Sequence, residues 1–247
     1  MPFVPLLRWL RWKHWVDSKL AFAGGVCYYL ALTNHWSLGQ TLATFGRFFP
    51  FLCCLAAFGY ACNNYFDNAA DLAGGKDPPL AVPDPRVQRR IVLGCLGATV
   101  LAFIPFMNRG ACVSVGVGGI LLATAYSAPP LRLKVRGAVG LLSAAIAQWT
   151  LPALLIVTGT ADLAPGIALM LVLSLSIGAR WVLIHQISDA PADARAGTPT
   201  FTRDRGIPAA SRLLWSLIAF EVALLLVWPF MAGEAARPIA LSTAAYL

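Results

Sequence analysis

The chain carries two clusters of acidic side chains whose spacing suits metal binding. The first contains Asn63, Asp67 and Asp71, which follow an apolar run from residue 48 to residue 62. Residues four apart on an α-helix are offset by only about 40°, so these three side chains share one face over about 12 Å. Two carboxylates and a carboxamide are hard oxygen ligands of the kind that Mg²⁺ takes in proteins. The spacing therefore predicts a metal-binding face near the end of a helix.

The second cluster, Asp189 and Asp193, also follows a long apolar run. It repeats the spacing of Asp67 and Asp71, and in both copies a glycine stands four residues after the second aspartate. The repeat indicates two related helical halves that each bring an acidic face to one site. The alternative is that these acidic side chains only keep two helix ends in contact with water. However, acidic residues at C-terminal helix ends interact unfavourably with the helix dipole. We therefore expect the four aspartates and Asn63 to bind metal together.

Three motifs in this order resemble the UbiA superfamily of intramembrane prenyltransferases. The acidic motifs come after the second and sixth predicted membrane helices, as they do in that family. The segment from Tyr126 to Lys134 is similar to the family's loop after the fourth helix, especially in its chlorophyll-synthase-like branch. The resemblance covers nearly the whole chain. It implies an all-α, polytopic transmembrane helical bundle with two pseudo-repeated halves around a central cavity.

The resemblance also implies an activity, the transfer of a prenyl group from an isoprenoid diphosphate to an apolar, lipid-like acceptor. Mg²⁺ would bridge the aspartates and the diphosphate, because carboxylates alone repel an anion. Two other functions stay open. One is a terpene cyclase of the same superfamily, which quenches the cation within the substrate. The other is a transporter or non-catalytic membrane protein, although acidic motifs at the membrane surface instead of the midplane disfavour transport.

Further side chains complete the expected substrate site. We expect Lys134 to contact phosphate, with Arg132 and Arg136 as further cations. The alternative is that these three residues only set the membrane topology by their charge. Tyr126 would donate a hydrogen bond to phosphate or face the allylic cation. His185, one turn before the second acidic cluster, would either deprotonate or orient the acceptor, or else support Asp189, the first aspartate of that cluster.

Three positions depart from the family's pattern. Asn64 stands where an aspartate is common, and His185 and Gln186 stand where an Asn-Asp pair is common. The site thus has fewer carboxylates than many relatives, which leaves the number of metals and the acceptor open. Glycines and prolines between Gly74 and Pro85 exclude one long helix there, and suit either a cap over the site or a plain connector.

The composition is that of a multi-pass membrane protein. Of 247 residues, 58% are hydrophobic and 12% are charged, and the mean hydropathy is +0.69, which excludes an ordinary soluble domain. The net charge of +8 does not indicate a nucleic-acid partner, because fifteen of the nineteen Lys and Arg fall on one predicted side of the membrane. The positive-inside rule places that side, the N-terminus and all three motifs in the cytoplasm. We expect a bacterial inner membrane.

We predict one domain over residues 1–247, with seven full membrane helices and a shortened eighth that begins near Pro238. The seven ranges are 20–34, 47–66, 90–107, 111–126, 138–158, 164–188 and 212–232. Pro191 is expected to end or kink the sixth helix. The six cysteines lie in apolar stretches without a Cys-x-x-Cys pair, which indicates small buried residues instead of disulfides or a zinc site.

Two charges are expected inside the membrane. Arg180 lies nine residues before Asp189, which is about 13 Å inward along its helix. Glu221 lies at a similar depth in the next, antiparallel helix. A lone charge at that depth costs at least a few kcal/mol, so we predict that Arg180 and Glu221 pair. The alternative for Arg180 is the cavity wall, where it would bind substrate.

Overall fold

The computed structural model describes residues 3–73, 84–160 and 166–231. In these ranges the chain forms helices, and its one pairing of extended residues is an isolated bridge between Gly137 and Thr200. The helices are α1 (Phe3–Trp9), α2 (Trp12–Trp15), α3 (Ala21–Thr33), α4 (Leu38–Ala73), α5 (Pro85–Phe103), α6 (Gly110–Ser127), α7 (Ala138–Ala145), α8 (Leu151–Thr160), α9 (Ile167–Ala196), α10 (Phe201–Arg205) and α11 (Ile207–Met231). Turns of π-helix join α2 to α3 (Val16–Leu20) and α7 to α8 (Ile146–Thr150), and short 3₁₀ turns cover Ile104–Phe106 and Leu133–Val135.

Six stretches of the described chain are long and apolar enough to cross a membrane. They are Leu38–Asn68, Pro85–Phe106, Gly110–Ser127, Ala138–Thr160, Ile167–Ala196 and Ile207–Phe230. The chain is therefore an integral, multi-pass membrane protein, and the predicted all-α bundle is confirmed. The first predicted span is the 13-residue helix α3, which alone is shorter than the roughly 20 residues that a crossing needs. The expected eighth helix and most of the Gly74–Pro85 segment lie outside the described residues.

Helices α4 and α5 begin earlier than predicted, because capping interactions fix their first residues upstream of the point where the apolar run begins. Helix α4 begins at Leu38 instead of 47. Before it, Ser37 and Gln40 form a capping box: the Gln40 amide donates to Ser37 Oγ at 3.2 Å, and the Ser37 amide donates to Gln40 Oε1 at 2.7 Å. Helix α5 begins at Pro85 instead of 90, since Asp84 accepts the Arg86 amide at 2.8 Å and proline suits the first helical position.

Of the two expectations at Pro191, the helix end is wrong, and the kink stays a prediction. Helix α9 continues through Pro191 to Ala196. It ends at Gly197, whose φ of 69° is the left-handed conformation that favours glycine at a helix C-terminus. The amide of Thr198 donates to the Asp193 carbonyl at 2.9 Å and completes this cap. The second acidic cluster therefore lies within α9 and not in a loop that follows it.

The half of the bundle far from the acidic motifs is closed by an aromatic cluster. The rings of Phe48 and Phe106 stack with centroids 4.6 Å apart, and those of Phe51 and Phe103 lie 4.8 Å apart. Such pairs each contribute about 0.5–1.5 kcal/mol beyond their buried area. All six cysteines are free. The expectation of buried cysteines is confirmed for Cys27, Cys62 and Cys112, whereas Cys53, Cys54 and Cys95 are only half-buried.

Candidate active site

A cavity of about 1250 Å³ lies where α4, α6 and α9 finish. Consecutive helices run antiparallel, so these three ends meet on one side of the bundle. The cavity is lined by Asn63, Asp67, Tyr126, Arg132 and Lys134. Its α9 wall adds His185, Asp189 and Asp193. The prediction that both acidic motifs surround one cavity is confirmed for three aspartates; the side chain of Asp71 lies outside what the structure describes.

Asp67 is held by two cations from the loop that follows α6. Lys134 Nζ forms an ion pair with Asp67 Oδ1, and Arg132 Nη2 lies 3.7 Å from the same oxygen. The side chains of Asp67 and Lys134 are both about nine-tenths buried. Burial lowers the pKa of Lys134 to about 8, while the Asp193 carboxylate acts in the opposite direction. The charge of Lys134 therefore depends on its acidic neighbours.

The loop is shaped by Arg136 and by a glycine. The Arg136 guanidinium donates to the carbonyls of Leu131 at 2.6 Å and Pro130 at 3.2 Å. Arg136 is not among the residues that line the cavity, so its expected phosphate contact stays a prediction. A Cβ at Gly140 would lie 2.7 Å from the carbonyl oxygens of both Leu133 and Lys134. Glycine at 140 thus lets the loop pack directly on α7, which fixes Lys134 in the cavity.

On α9 the polar residues follow the helical repeat. His185, Asp189 and Asp193 stand four residues apart and line the cavity. The ring of His185 lies 6.2 Å from that of Trp181, at 33°. Gln186 has another role: its Oε1 accepts the Thr202 amide at 3.2 Å and so anchors α10 against α9.

The two asparagines of the first motif act differently. Asn63 faces the cavity, and its Oδ1 accepts a hydrogen bond from Ser127 Oγ at 3.4 Å. Asn64 is 5% exposed and donates its amide to the Trp9 carbonyl. An aspartate at 64 has no proton to donate there. The departure from the family's pattern at this position is therefore explained by a tether that holds the N-terminal segment.

The N-terminal segment also forms part of the cavity wall, and sequence reasoning missed its contribution. Lys19 Nζ donates to Tyr60 Oη at 2.5 Å, and both residues line the cavity. Burial lowers the pKa of Lys19 to about 7. Two signals in the sequence point to this pair: Lys19 directly precedes an apolar helix, and Tyr60 lies one turn before Asn63 on the same face of α4.

Arg180 does not line the cavity. Its Nε donates to Glu221 Oε2 at 2.8 Å. The predicted pair of charges inside the membrane is therefore confirmed, and a substrate contact from Arg180 stays a prediction.

The donor set around the cavity fits Mg²⁺. Asp67, Asp189, Asp193 and Asn63 offer oxygen ligands, which this ion prefers. Within the described residues, no group of three or more His, Cys, Asp or Glu side chains could hold a metal ion by itself. A metal here needs further oxygen ligands, and the phosphate groups of a substrate are of that kind.

The bundle is similar to solved structures of a UbiA homolog from Archaeoglobus fulgidus. The complex with DMAPP and Mg²⁺ matches with a TM-score of 0.73 and 18% identity, over 98% of this chain and 83% of that one. The complex with GPP and Mg²⁺ gives the same score and identity, over 98% and 84%. A structure of digeranylgeranylglyceryl phosphate synthase matches with a TM-score of 0.64 and 13% identity, over 92% and 76%. No protein-family model and no curated protein matches the chain. The chain therefore has the fold of UbiA homologs, as its motifs predicted.

Proposed function

We propose that this protein transfers a prenyl group from an isoprenoid diphosphate to an apolar, lipid-like acceptor. The observation that carries the proposal is the division of the cavity. Asp67, Asp189 and Asp193 share its charged end with Lys134, while Leu52, Leu55, Ala56, Trp149 and Pro152 supply apolar lining. A prenyl diphosphate has the same division into an anionic head and an apolar tail. The complexes of a similarly folded homolog with DMAPP, GPP and Mg²⁺ support it.

The head of the substrate would be held by oxygen ligands and cations together. The residues that would hold Mg²⁺ are Asn63, Asp67, Asp71, Asp189 and Asp193. The bound metal supplies positive charge that lets carboxylates accept a diphosphate and that stabilises pyrophosphate as it leaves. Lys134 and Arg132 would turn from Asp67 to the phosphate oxygens, since charge-assisted hydrogen bonds to phosphate are strong.

The chain's own residues would then favour ionisation. As the allylic C–O bond breaks, negative charge grows on the departing oxygen, and the Lys134 ammonium would stabilise that charge once it has turned to the phosphate. Tyr126, which lines the cavity at the end of α6, would donate to phosphate or face the allylic cation. The apolar walls keep water away from the cation until the acceptor reacts.

The orientation follows from charge. Arg11, Lys13, Lys19, Arg132 and Lys134 all line the cavity, so the basic end of the bundle and the candidate site coincide. By the positive-inside rule, we place this end in the cytoplasm of a bacterial inner membrane.

The proposal is tested by pyrophosphate release from labelled geranyl diphosphate by the purified protein in detergent. Release should require Mg²⁺ and should fall by about 100-fold or more in Asp67→Asn and Asp189→Asn, since each removes a charge that holds the metal. Asp17→Asn, which changes an exposed carboxylate on the N-terminal part of the cavity wall, is the matched control. Undiminished release in the two motif variants would overturn the proposal. A hydrocarbon product formed from the diphosphate alone would identify the cyclase alternative.

A further inference from the structure

Lys19 and Tyr60 form a hydrogen-bonded pair in the cavity wall, outside both acidic motifs. Their Nζ and Oη atoms are 2.5 Å apart, and Nζ lies 4.7 Å from the centre of the Tyr60 ring. In the part of the chain that the structure describes, no ion pair joins Lys19 to a carboxylate. The partner of this half-buried lysine is a hydroxyl group instead of a carboxylate.

The pair lies between the charged and the apolar parts of the cavity. Tyr60 stands seven residues before Asp67 on α4, on the same face and about 10 Å further into the membrane. One turn deeper still, Ala56 and Leu55 begin the apolar lining. A substrate with its diphosphate at the aspartates and its tail among the apolar residues would have its reactive carbon near the depth of Tyr60.

The surroundings of Lys19 favour a neutral amine. Burial alone lowers its pKa to about 7, so both protonation states are populated near neutral pH. The charged and titratable groups on the elements packed against it are Arg11, Lys13, His14, Tyr60 and Asp67, and its own segment adds Asp17. Tyr126 on α6 lies beside Tyr60 in the same cavity. The α9 wall of the cavity adds His185.

We propose that Tyr60 and Lys19 accept the proton that a hydroxyl-bearing acceptor loses when it is prenylated. This inference rests on the proposed transferase function and names the class of its acceptor. Tyr60 would contact the acceptor hydroxyl, and Lys19 would act through Tyr60. In the neutral state of Lys19 the direction of their hydrogen bond reverses, so that Tyr60 O–H donates to Lys19 Nζ.

The step balances without another reactant. The acceptor oxygen bonds to the allylic carbon as the C–O bond to the diphosphate breaks, and pyrophosphate leaves with that electron pair. The acceptor proton passes to Tyr60 Oη while Tyr60 gives its own proton to Lys19 Nζ. The products are a prenyl ether, pyrophosphate and a protonated Lys19, which then returns its proton to solvent.

The geometry favours a hydroxyl over other acceptor groups. A phenolic oxygen accepts a directional hydrogen bond from O–H, whereas an aromatic C–H offers only a weak one. A carboxylic acid is already ionised at neutral pH and has no proton for this pair to accept. An alcohol or phenol has both the proton and the nucleophilic oxygen.

The acceptor class is tested with labelled geranyl diphosphate, Mg²⁺ and a total membrane lipid extract from the cells that produce the protein. One half of the extract is first acetylated to block its hydroxyl groups. Label should enter the untreated lipid and not the acetylated lipid. Equal transfer to both, or pyrophosphate release with transfer to neither, would overturn the inference while leaving ionisation intact. Absence of any pyrophosphate release would instead refute the proposed function itself.

The role of the pair is tested with Lys19→Met, Lys19→Arg and Tyr60→Phe. Transfer to lipid should fall by about 100-fold in each, within the range for loss of a general base. Release of pyrophosphate from the diphosphate alone should stay within about threefold of wild type. In the wild type, kcat/KM for transfer should rise with pH through about 7, because the amine must be neutral, and this rise should vanish in Lys19→Arg. The control is Lys13→Met, an exposed lysine on the same wall.

Recovery of wild-type transfer in Lys19→Arg would overturn the inference, because a fixed cation would then suffice. A titration that needs no turnover completes the test. Lysines are labelled by reductive ¹³C-methylation, and their carbon shifts are followed with pH by NMR. The Lys19 signal, assigned by its loss in Lys19→Met, should titrate near 7 and that of Lys13 near about 10. A Lys19 transition above about 9 would also contradict the inference.

Discussion

Arg180 and Glu221 join helices α9 and α11 inside the membrane. Arg180 Nε donates to Glu221 Oε2 at 2.8 Å, and Ser176 Oγ donates to Glu221 Oε1 at 3.1 Å. The Glu221 side chain is fully buried, while that of Arg180 is 16% exposed. Each of the two Glu221 carboxylate oxygens thus accepts a hydrogen bond. A buried carboxylate inside the membrane needs such donors, because it is cut off from water.

The first prediction concerns the energy of this pair. Arg180→Met should destabilise the protein by about 3–5 kcal/mol, because it leaves a buried carboxylate without its cation. Glu221→Leu should do the same to the arginine. The double variant should be more stable than either single variant, since no charge is then left alone. Thermal unfolding in detergent, followed by circular dichroism, gives the comparison, and a double variant that melts well below both single variants would contradict the prediction.

A second prediction concerns Asn64. In Asn64→Asp the donor to the Trp9 carbonyl is lost and a carboxylate faces that carbonyl, which should destabilise the contact by about 1–3 kcal/mol. The N-terminal segment should then be cleaved faster by trypsin at Arg8, Arg11 and Lys13, as read by mass spectrometry. The control is Asn68→Asp, one turn further along the same helix and exposed. Equal protection of both variants would show that the tether is not needed.

Much of this arrangement could be predicted from sequence, because membrane helices are strongly periodic. Three spans separate α4 from α9, so the two helices cross the membrane in the same sense. Asp67 and Asp189, which both lie near the C-terminal ends of these helices, must therefore share one side. The Arg180–Glu221 pair followed from the same counting, since depth along a helix is set by residue number and the membrane penalises unpaired charge.

What the sequence did not predict depends on contacts between segments that the chain order does not relate. Lys19 and Tyr60 are 41 residues apart, and their contact depends on how the N-terminal segment folds over α4. Arg136 and Lys134 look alike in sequence, yet one binds loop carbonyls and the other Asp67. The direction of each side chain is set by the turn that carries it, and that turn depends on packing against Gly140.

The third prediction tests that packing. Gly140→Ala places a methyl group 2.7 Å from two backbone oxygens, so the loop must move and Lys134 with it. We expect affinity for geranyl diphosphate in Mg²⁺ to weaken by about 10-fold or more, which corresponds to about 1.4 kcal/mol, because Lys134 would no longer be held in the cavity. Gly94→Ala is the control, because its added Cβ meets nothing within 4 Å. Titration calorimetry measures both, and equal affinities would show that the loop does not depend on Gly140.

The last prediction uses the stability of the protein to detect the lowered pKa of the Lys19 amine. In the folded state its pKa is about 7, whereas in the unfolded chain it returns to about 10.4. Between these values the unfolded state binds more protons than the folded state, so stability must rise with pH. Below pH 7 both states carry the charge, and the folded state bears the full penalty of burying it. The difference in melting temperature between wild type and Lys19→Met should therefore shift in favour of wild type from pH 6.5 to pH 9. Lys13→Met, which changes an exposed lysine, should show a constant difference. A constant difference for Lys19→Met as well would mean that Lys19 stays charged in the folded protein, and the amine would then be unable to take the proton from Tyr60.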